Sequence, residues 1–216
     1  MGHILVTGFE PFGGERLNPA AEIAMSHDGA AIRPRGGLPS RAAVKVRACV
    51  LPVTWAGAVK TLIAEVGRTP GLGAVVMLGQ AGGYPAFGLE RVAINAANGR
   101  DNSGQELVEA PVLAGGPPAY FSTLPLQAIL ASLESEGLPA FISNSAGTYL
   151  CNFAFYALMH HLATAWPSPA PPAAGFIHVP YLPEQAIGKK PIPPSLARGE
   201  MERAVRVALE VVAGAR

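Results

Sequence analysis

Apolar residues recur along the chain with two different spacings, and the elements change where the spacing changes. His3–Gly8 is a short apolar run closed by glycine, and Val44–Val53 and Gly175–Val179 have the same strand character. Ala74–Leu78 is apolar without a break, as a strand covered on both faces of a mostly parallel sheet must be. Elsewhere the period lengthens. Within Ala56–Val66, the residues Val59, Leu62, Ile63 and Val66 fall at i, i+3, i+4 and i+7, which predicts a helix that Gly67 and Pro70 stop. Thr123–Glu136, ended by Gly137 and Pro139, reads as a helix, as do Cys151–Ala165 and Met201–Val212. Asn18 before Pro19 is a cap followed by proline at the first helical position. Glu90–Asn95 alternates as a strand, Ala96–Tyr120 reads as a hairpin with loops, and Ala140–Ser145 is a further strand. His27–Arg41, rich in Pro and Gly, reads as a loop whose arginines form a solvated face.

This alternation of strand and helix predicts an α/β fold, a three-layer α/β/α sandwich with a mostly parallel central sheet, in a single domain spanning residues 1–216. Ligands of such sheets bind beyond the carboxyl ends of the strands. Composition removes several other classes. Half of the residues are hydrophobic and 14% are charged, which excludes a mainly disordered chain. Sixteen Lys and Arg against fifteen Asp and Glu leave no field to gather nucleic acid or an acidic membrane. No run approaches the roughly 20 apolar residues that span a bilayer. The chain enters an apolar run at His3 with no basic leader, so a cytoplasmic location is expected, with both cysteines as thiols.

The stretch from Ser143 to Asn152 holds the most chemistry. A short strand ends in small residues, Gly147 allows a sharp turn, and Cys151 arrives at the start of an apolar helix. Unpaired N–H groups and the positive end of the helix dipole favour a thiolate there. Such a nucleophile needs a base and a group that orients the base. His160 and His161 lie on the same helix as Cys151, on the order of 14 Å away at 1.5 Å per residue, and are excluded. His178, at the end of an apolar strand, is the candidate base, against the alternative of a satisfied core histidine. Glu90, followed by an apolar run, is the acid expected inside, with Asn95 and Asn152 as alternatives for the orienting role. Phe9 and Phe12, read as exposed aromatics in a loop after the first strand, suggest a pocket wall, and Gln80 falls at a strand end. Cys49 reads as core. The histidines and carboxylates show no metal-ligand spacing, and neither glycine pair, Gly13-Gly14 or Gly82-Gly83, fits a dinucleotide or phosphate loop, so no metal and no cofactor are expected.

Five ordered segments resemble the motifs of the pyroglutamyl peptidase I family. They are Phe9–Gly14 with Asn18-Pro19, Gly79–Gly83, Glu90–Asn95, Ser145–Asn152 and Phe176–Pro183. The resemblance runs from residue 3 to beyond Gln185. It implies a cysteine peptidase that removes an N-terminal pyroglutamyl residue from peptides. Cys151 would be the nucleophile, His178 the general base and acid, and Glu90 the group that orients His178. It also implies that Phe9 and Phe12 line the lactam pocket, that Gln80 lies beside it, and that the chain forms a homotetramer. Three departures stand out: a longer His27–Arg41 segment, Val53-Thr54 where a Thr-Val order is common, and a shortened Ala96–Gly104. The last two are expected near the pocket.

Overall fold

The computed structural model describes residues 2–36, 42–168 and 170–215. Residues 37–41 of the expected His27–Arg41 loop lie outside the described residues. The chain runs β1 (His3–Phe9), α1 (Pro19–Ser26), β2 (Ala31–Ile32), β3 (Val44–Leu51), α2 (Trp55–Arg68), β4 (Leu72–Gln80), β5 (Phe87–Glu90), β6 (Val92–Ile94), β7 (Ala97–Arg100), β8 (Glu106–Ala110) and β9 (Ala119–Phe121). It continues through α3 (Leu126–Ser135), β10 (Ala140–Ser143), α4 (Leu150–Thr164), β11 (Ala173–Val179), α5 (Pro183–Ala186) and α6 (Arg198–Gly214).

Seven strands form one sheet in the order β10-β5-β11-β4-β1-β3-β2. The pairs β1/β3, β1/β4, β4/β11 and β5/β10 are parallel, whereas β5/β11 and β2/β3 are antiparallel. The predicted mostly parallel sheet is therefore present, and the chain direction reverses between β11 and β5. Alternate side chains of the central strands feed two separate cores. Ile4, Val6, Val76, Leu78, Ile177 and Val179 pack on one face with residues of α1, α3 and α6. Leu5, Val75, Met77 and Phe176 pack on the other with α2 and α4. Helix α4 is apolar nearly all round because β6, β7 and β9 lie on it as well as the sheet.

The caps follow the local chemistry. Asn18 accepts the Ala20 N–H at 3.0 Å, with Pro19 opening α1 as predicted. Thr54 makes no side-chain cap for α2, and Asp101 takes that place by accepting the Trp55 N–H at 2.9 Å. Burial pushes the Asp101 carboxyl up, but hydrogen bonds from Ser103, Trp55 and Gln105 outweigh it and hold the group below its ordinary range.

Three expectations change. The single strand Glu90–Asn95 is cut at Arg91: Glu90 ends β5 in the central sheet, while Val92–Ile94 pairs with β9 in a separate ribbon. The helix expected over Thr123–Glu136 begins at Leu126, because Thr123 bonds to Ala174 through both its N–H and its hydroxyl. Arg35 is not simply solvated, since its guanidinium pairs with Glu136 and Glu210 and ties the segment after β2 to α3 and α6.

Candidate active site

The turn before α4 delivers Cys151 as the sequence suggests. Gly147 takes φ of 75°, a conformation that glycine adopts without strain, and α4 starts at Leu150 with no side chain capping it. The first helical bond in this turn is Phe153 N–H to Tyr149 C=O at 2.9 Å. The N–H groups of Leu150, Cys151 and Asn152 are thus left without a helical acceptor.

Strand register then sets the rest of the site. His178 of β11 pairs with Gly79 of β4, and in a parallel pair the two residues face the same side. That side is the α4 side, where Phe176 packs. A Cβ at Gly79 would lie 2.8 Å from the Cys151 sulfur and 2.6 Å from the Phe176 ring. Only a residue without a side chain leaves room there for the thiol. In the sequence Gly79 stands only as the first residue of the Gly79–Gly83 motif, and its role comes from the approach of Cys151 and Phe176 to β4.

On its other side the His178 imidazole meets Glu90. Nδ1 and Glu90 Oε1 are 2.7 Å apart. A carboxylate only accepts, so Nδ1 carries the hydrogen and Nε2 is left for the thiol. Glu90 is completely buried and His178 is nearly so. The rings of Phe176 and Tyr84 flank the imidazole, with centroids 4.9 and 5.9 Å away. Burial alone would push the imidazole down, but its bonds to Cys151 and Glu90, with their charges, raise it to about 9. His178 therefore holds its proton through neutral pH.

The two alternatives for the orienting role are occupied elsewhere. Asn152 accepts the Ile94 N–H and donates to the carbonyls of Ile94 and Ala96, which joins α4 to β6. Asn95 holds the segment 113–116 through Leu113 and Gly116. His160 bonds to the Tyr120 hydroxyl at 2.8 Å and lines, with His161, an apolar groove between α2 and α4 that contains neither Cys151 nor His178. Cys49 sits in β3, and burial, helped by the charge of Glu65, pushes its thiol up to about 12.

A narrow pocket reaches Cys151. Phe9, Phe12 and Gln80 line it, and so do Asn18, Val53 and Tyr149. None of its lining residues carries a charge. Phe9 is not in a loop and is not exposed. It is the last residue of β1, 2% exposed, and its ring lies tilted against Phe176 with centroids 6.3 Å apart. Phe12 is the loop aromatic and packs against Tyr149 at 6.1 Å. Residues 100–102 brace this wall, because Asn102 donates to the Pro11 carbonyl and Tyr149 to the Arg100 carbonyl. No cluster of His, Cys, Asp or Glu suited to a metal occurs among the described residues.

A doubly covered α/β sheet that sets a thiol, an imidazole and a carboxylate in a row beside an uncharged pocket has the arrangement of a cysteine-type hydrolase. The chain belongs to the pyroglutamyl peptidase family, whose model matches residues 2–215. It is 44% identical over 214 residues to the pyrrolidone-carboxylate peptidase of Pyrococcus furiosus, covering 96% of each chain. It is 42% identical to that of Chromobacterium violaceum, covering 98% of this chain and 92% of the relative. Pyroglutamyl peptidase I of Bacillus amyloliquefaciens superposes with a TM-score of 0.89 at 34% identity, over 100% of this chain and 98% of the other.

Proposed function

We propose that this chain hydrolyses the bond after an N-terminal pyroglutamyl residue of peptides, with Cys151 as nucleophile, His178 as general base and acid, and Glu90 orienting His178. The observation that carries the reading is the uncharged, aromatic-walled pocket that ends on a thiol already paired to a buried imidazole and carboxylate. A pyroglutamyl ring is small, flat and neutral, and has no α-ammonium for a carboxylate to bind. Phe9 and Phe12 suit its faces.

In the reaction, the Cys151 thiolate, paired with the His178 imidazolium, attacks the carbonyl that follows the ring, and the resulting oxyanion accepts from N–H groups at the start of α4. The His178 imidazolium gives its proton to the leaving amine, which departs as the free peptide and leaves a thioester on Cys151. Neutral His178 then takes a proton from water, whose attack releases pyroglutamate and restores the Cys151 thiolate beside the His178 imidazolium. Glu90 stabilises the imidazolium and fixes the tautomer throughout. Among the described residues no helix is long and apolar enough to cross a membrane. A single peptidase domain, a cytoplasmic setting and a homotetramer are carried over with the family.

The reading is tested by release of a fluorescent amine from pyroglutamyl, prolyl and glutamyl amides before and after thiol alkylation. Turnover of the pyroglutamyl amide alone, lost on alkylation of one thiol per chain, is the expected result. Activity that a chelator removes and an alkylator spares would overturn it.

The close approach at Gly79 gives a second expectation. Gly79→Ala forces the new methyl against the Phe176 ring and the sulfur, and crowding of this kind in a tight core costs about 1–3 kcal/mol. Thermal unfolding should show that loss, and kcat/KM should fall by at least about tenfold because the sulfur moves off the imidazole. A variant of wild-type activity would mean that the thiol has more room than the geometry gives it.

A further inference from the structure

Of the side-chain amides on the wall of the Cys151 pocket, one keeps its nitrogen without a partner. Asn18 uses its oxygen on Ala20 N–H and its nitrogen on the Glu10 carbonyl, 3.0 and 3.1 Å. The Tyr149 hydroxyl donates to Arg100. Gln80 is 6% exposed, and its Oε1 accepts from Gln185 Nε2 at 2.8 Å. Its Nε2 has no bond to any described residue, although it belongs to a side chain on the pocket wall.

Which end of the Gln80 amide is left over is decided one residue further back. Gln185 Oε1 accepts the Leu182 N–H at 3.1 Å, and a backbone N–H can only donate. The nitrogen of Gln185 must therefore point the other way, towards Glu15 Oε2 at 3.2 Å and Gln80. Glu15 requires the same orientation. Its carboxylate is paired with Lys189 at 2.6 Å, whose ammonium holds it below the usual carboxylate range, so it only accepts. Gln185 is itself buried, which leaves water little chance to support the reverse arrangement. Facing a donor, Gln80 has to turn its oxygen to Gln185 and keep its N–H groups for the pocket.

We infer that Gln185 is a positioning residue for specificity: through Gln80 it fixes a hydrogen-bond donor beside the bound ring, and the site thereby selects a ring that carries a carbonyl. This deepens the peptidase reading above and rests on it. A saturated five-membered ring of the same size would fill the aromatic walls but leave the Gln80 N–H without a partner, and sites built to bond a polar group reject analogues that lack it.

The test is Gln185→Glu in the full chain. The new carboxylate can still accept from Leu182 but lies against Glu15, so the comparison is run as a pH series up to where both are ionised; there it has no hydrogen for Gln80, and the Gln80 amide turns to donate to it and presents oxygen to the ring carbonyl. The probes are a pyroglutamyl amide as substrate, with pyroglutamate and cyclopentanecarboxylate as competitors, the latter lacking both the ring carbonyl and the ring N–H. KM for the amide should rise at least about tenfold while kcat changes less than about threefold. The preference for pyroglutamate over cyclopentanecarboxylate should disappear, and the rate of Cys151 alkylation should not change. A purely structural brace would move kcat, alkylation and both competitors together, which overturns the inference, as does an unchanged KM and preference. If Gln185→Glu does not fold, Gln80→Glu decides, because it keeps the Gln185 bond and replaces only the pocket donor. Retention of the ring preference in that variant overturns the inference, and its loss supports it. A wild-type chain that cleaves no pyroglutamyl amide fails the peptidase reading instead. Competitor binding, read as protection of Cys151 from alkylation, then still shows whether Gln185 sets the ring preference.

Discussion

Cys151→Ala is expected to abolish turnover of pyroglutamyl amides, with a fall in kcat on the order of 10⁴ to 10⁶. The variant loses the atom that forms the bond, and nothing nearby can replace it. Cys49 is the other cysteine of the chain, and its thiol, pushed up to about 12 by burial and Glu65, is no source of thiolate at neutral pH. The same contrast makes alkylation a clean companion measurement. One equivalent of reagent should enter the folded wild type, at Cys151, and almost none should enter the alanine variant. Folding should survive, since removing the sulfur adds no atom to the space over Gly79. His178→Ala should cost about as much as Cys151→Ala, and the double variant little more, because groups that act as one unit are lost together. Activity above about a hundredth of wild type in Cys151→Ala, in a preparation free of contaminating peptidase, would remove Cys151 from the role of nucleophile.

What could be read in the sequence followed from how local each signal was. The cap Asn18-Pro19, the helix α2 and the turn at Gly147 are decided by neighbouring residues, and the structure keeps them, although α2 buries Trp55, Ala58, Leu62 and Val66 and leaves Val59 and Ile63 on the groove beside α4. The layer arrangement followed from alternation, because continuous apolar strands require cover on both faces. Strand limits near the site were less legible. Residues 90 to 95 alternate as one strand, but the Arg91 N–H bonds to Ser143 while Ala93 pairs with Tyr120, so tertiary pairing divides what the local pattern joins. Phe9 was misplaced for a related reason. A phenylalanine after Gly8 and two residues before Pro11 looks like loop until the pairing of Phe9 with Leu51 extends β1 over it. The candidate triad was approachable because each member is an unusual residue type at the end or edge of an apolar element. Gly79 and Gln185 were not, since a glycine that makes room for sulfur and a glutamine that turns another glutamine depend on contacts 72 and 105 residues apart, counted as 151 less 79 and 185 less 80.

The second large effect is expected for Glu90→Gln, which keeps the size of the side chain and removes its charge. An amide can offer Nδ1 either its oxygen or its N–H group, and the second choice reverses the tautomer, placing a hydrogen on Nε2 where the neutral imidazole should accept one. In a comparable triad the same change from carboxylate to amide costs about 10⁴ in kcat, and a loss of about 10² to 10⁴ is expected here. The pH dependence separates this effect from simple damage. Burial pushes the imidazole down, and Cys151 and Glu90 together lift it to about 9, so wild-type kcat/KM should decline with an apparent midpoint near 9 as His178 loses the proton needed by the leaving amine. Without the Glu90 charge, burial is opposed by Cys151 alone, and the alkaline limb should move towards neutral pH. Stability should follow the same linkage. A histidine raised from 6.5 when folded binds its proton more tightly folded than unfolded, so its contribution is complete below about pH 6.5 and is lost as pH rises through about 9. Thermal unfolding of the wild type should therefore weaken across that window, and Glu90→Gln should show a smaller drop from a lower starting point. An unchanged alkaline limb in Glu90→Gln would mean that the carboxylate does not act on the imidazole, and the orienting role would have to be sought elsewhere in the site.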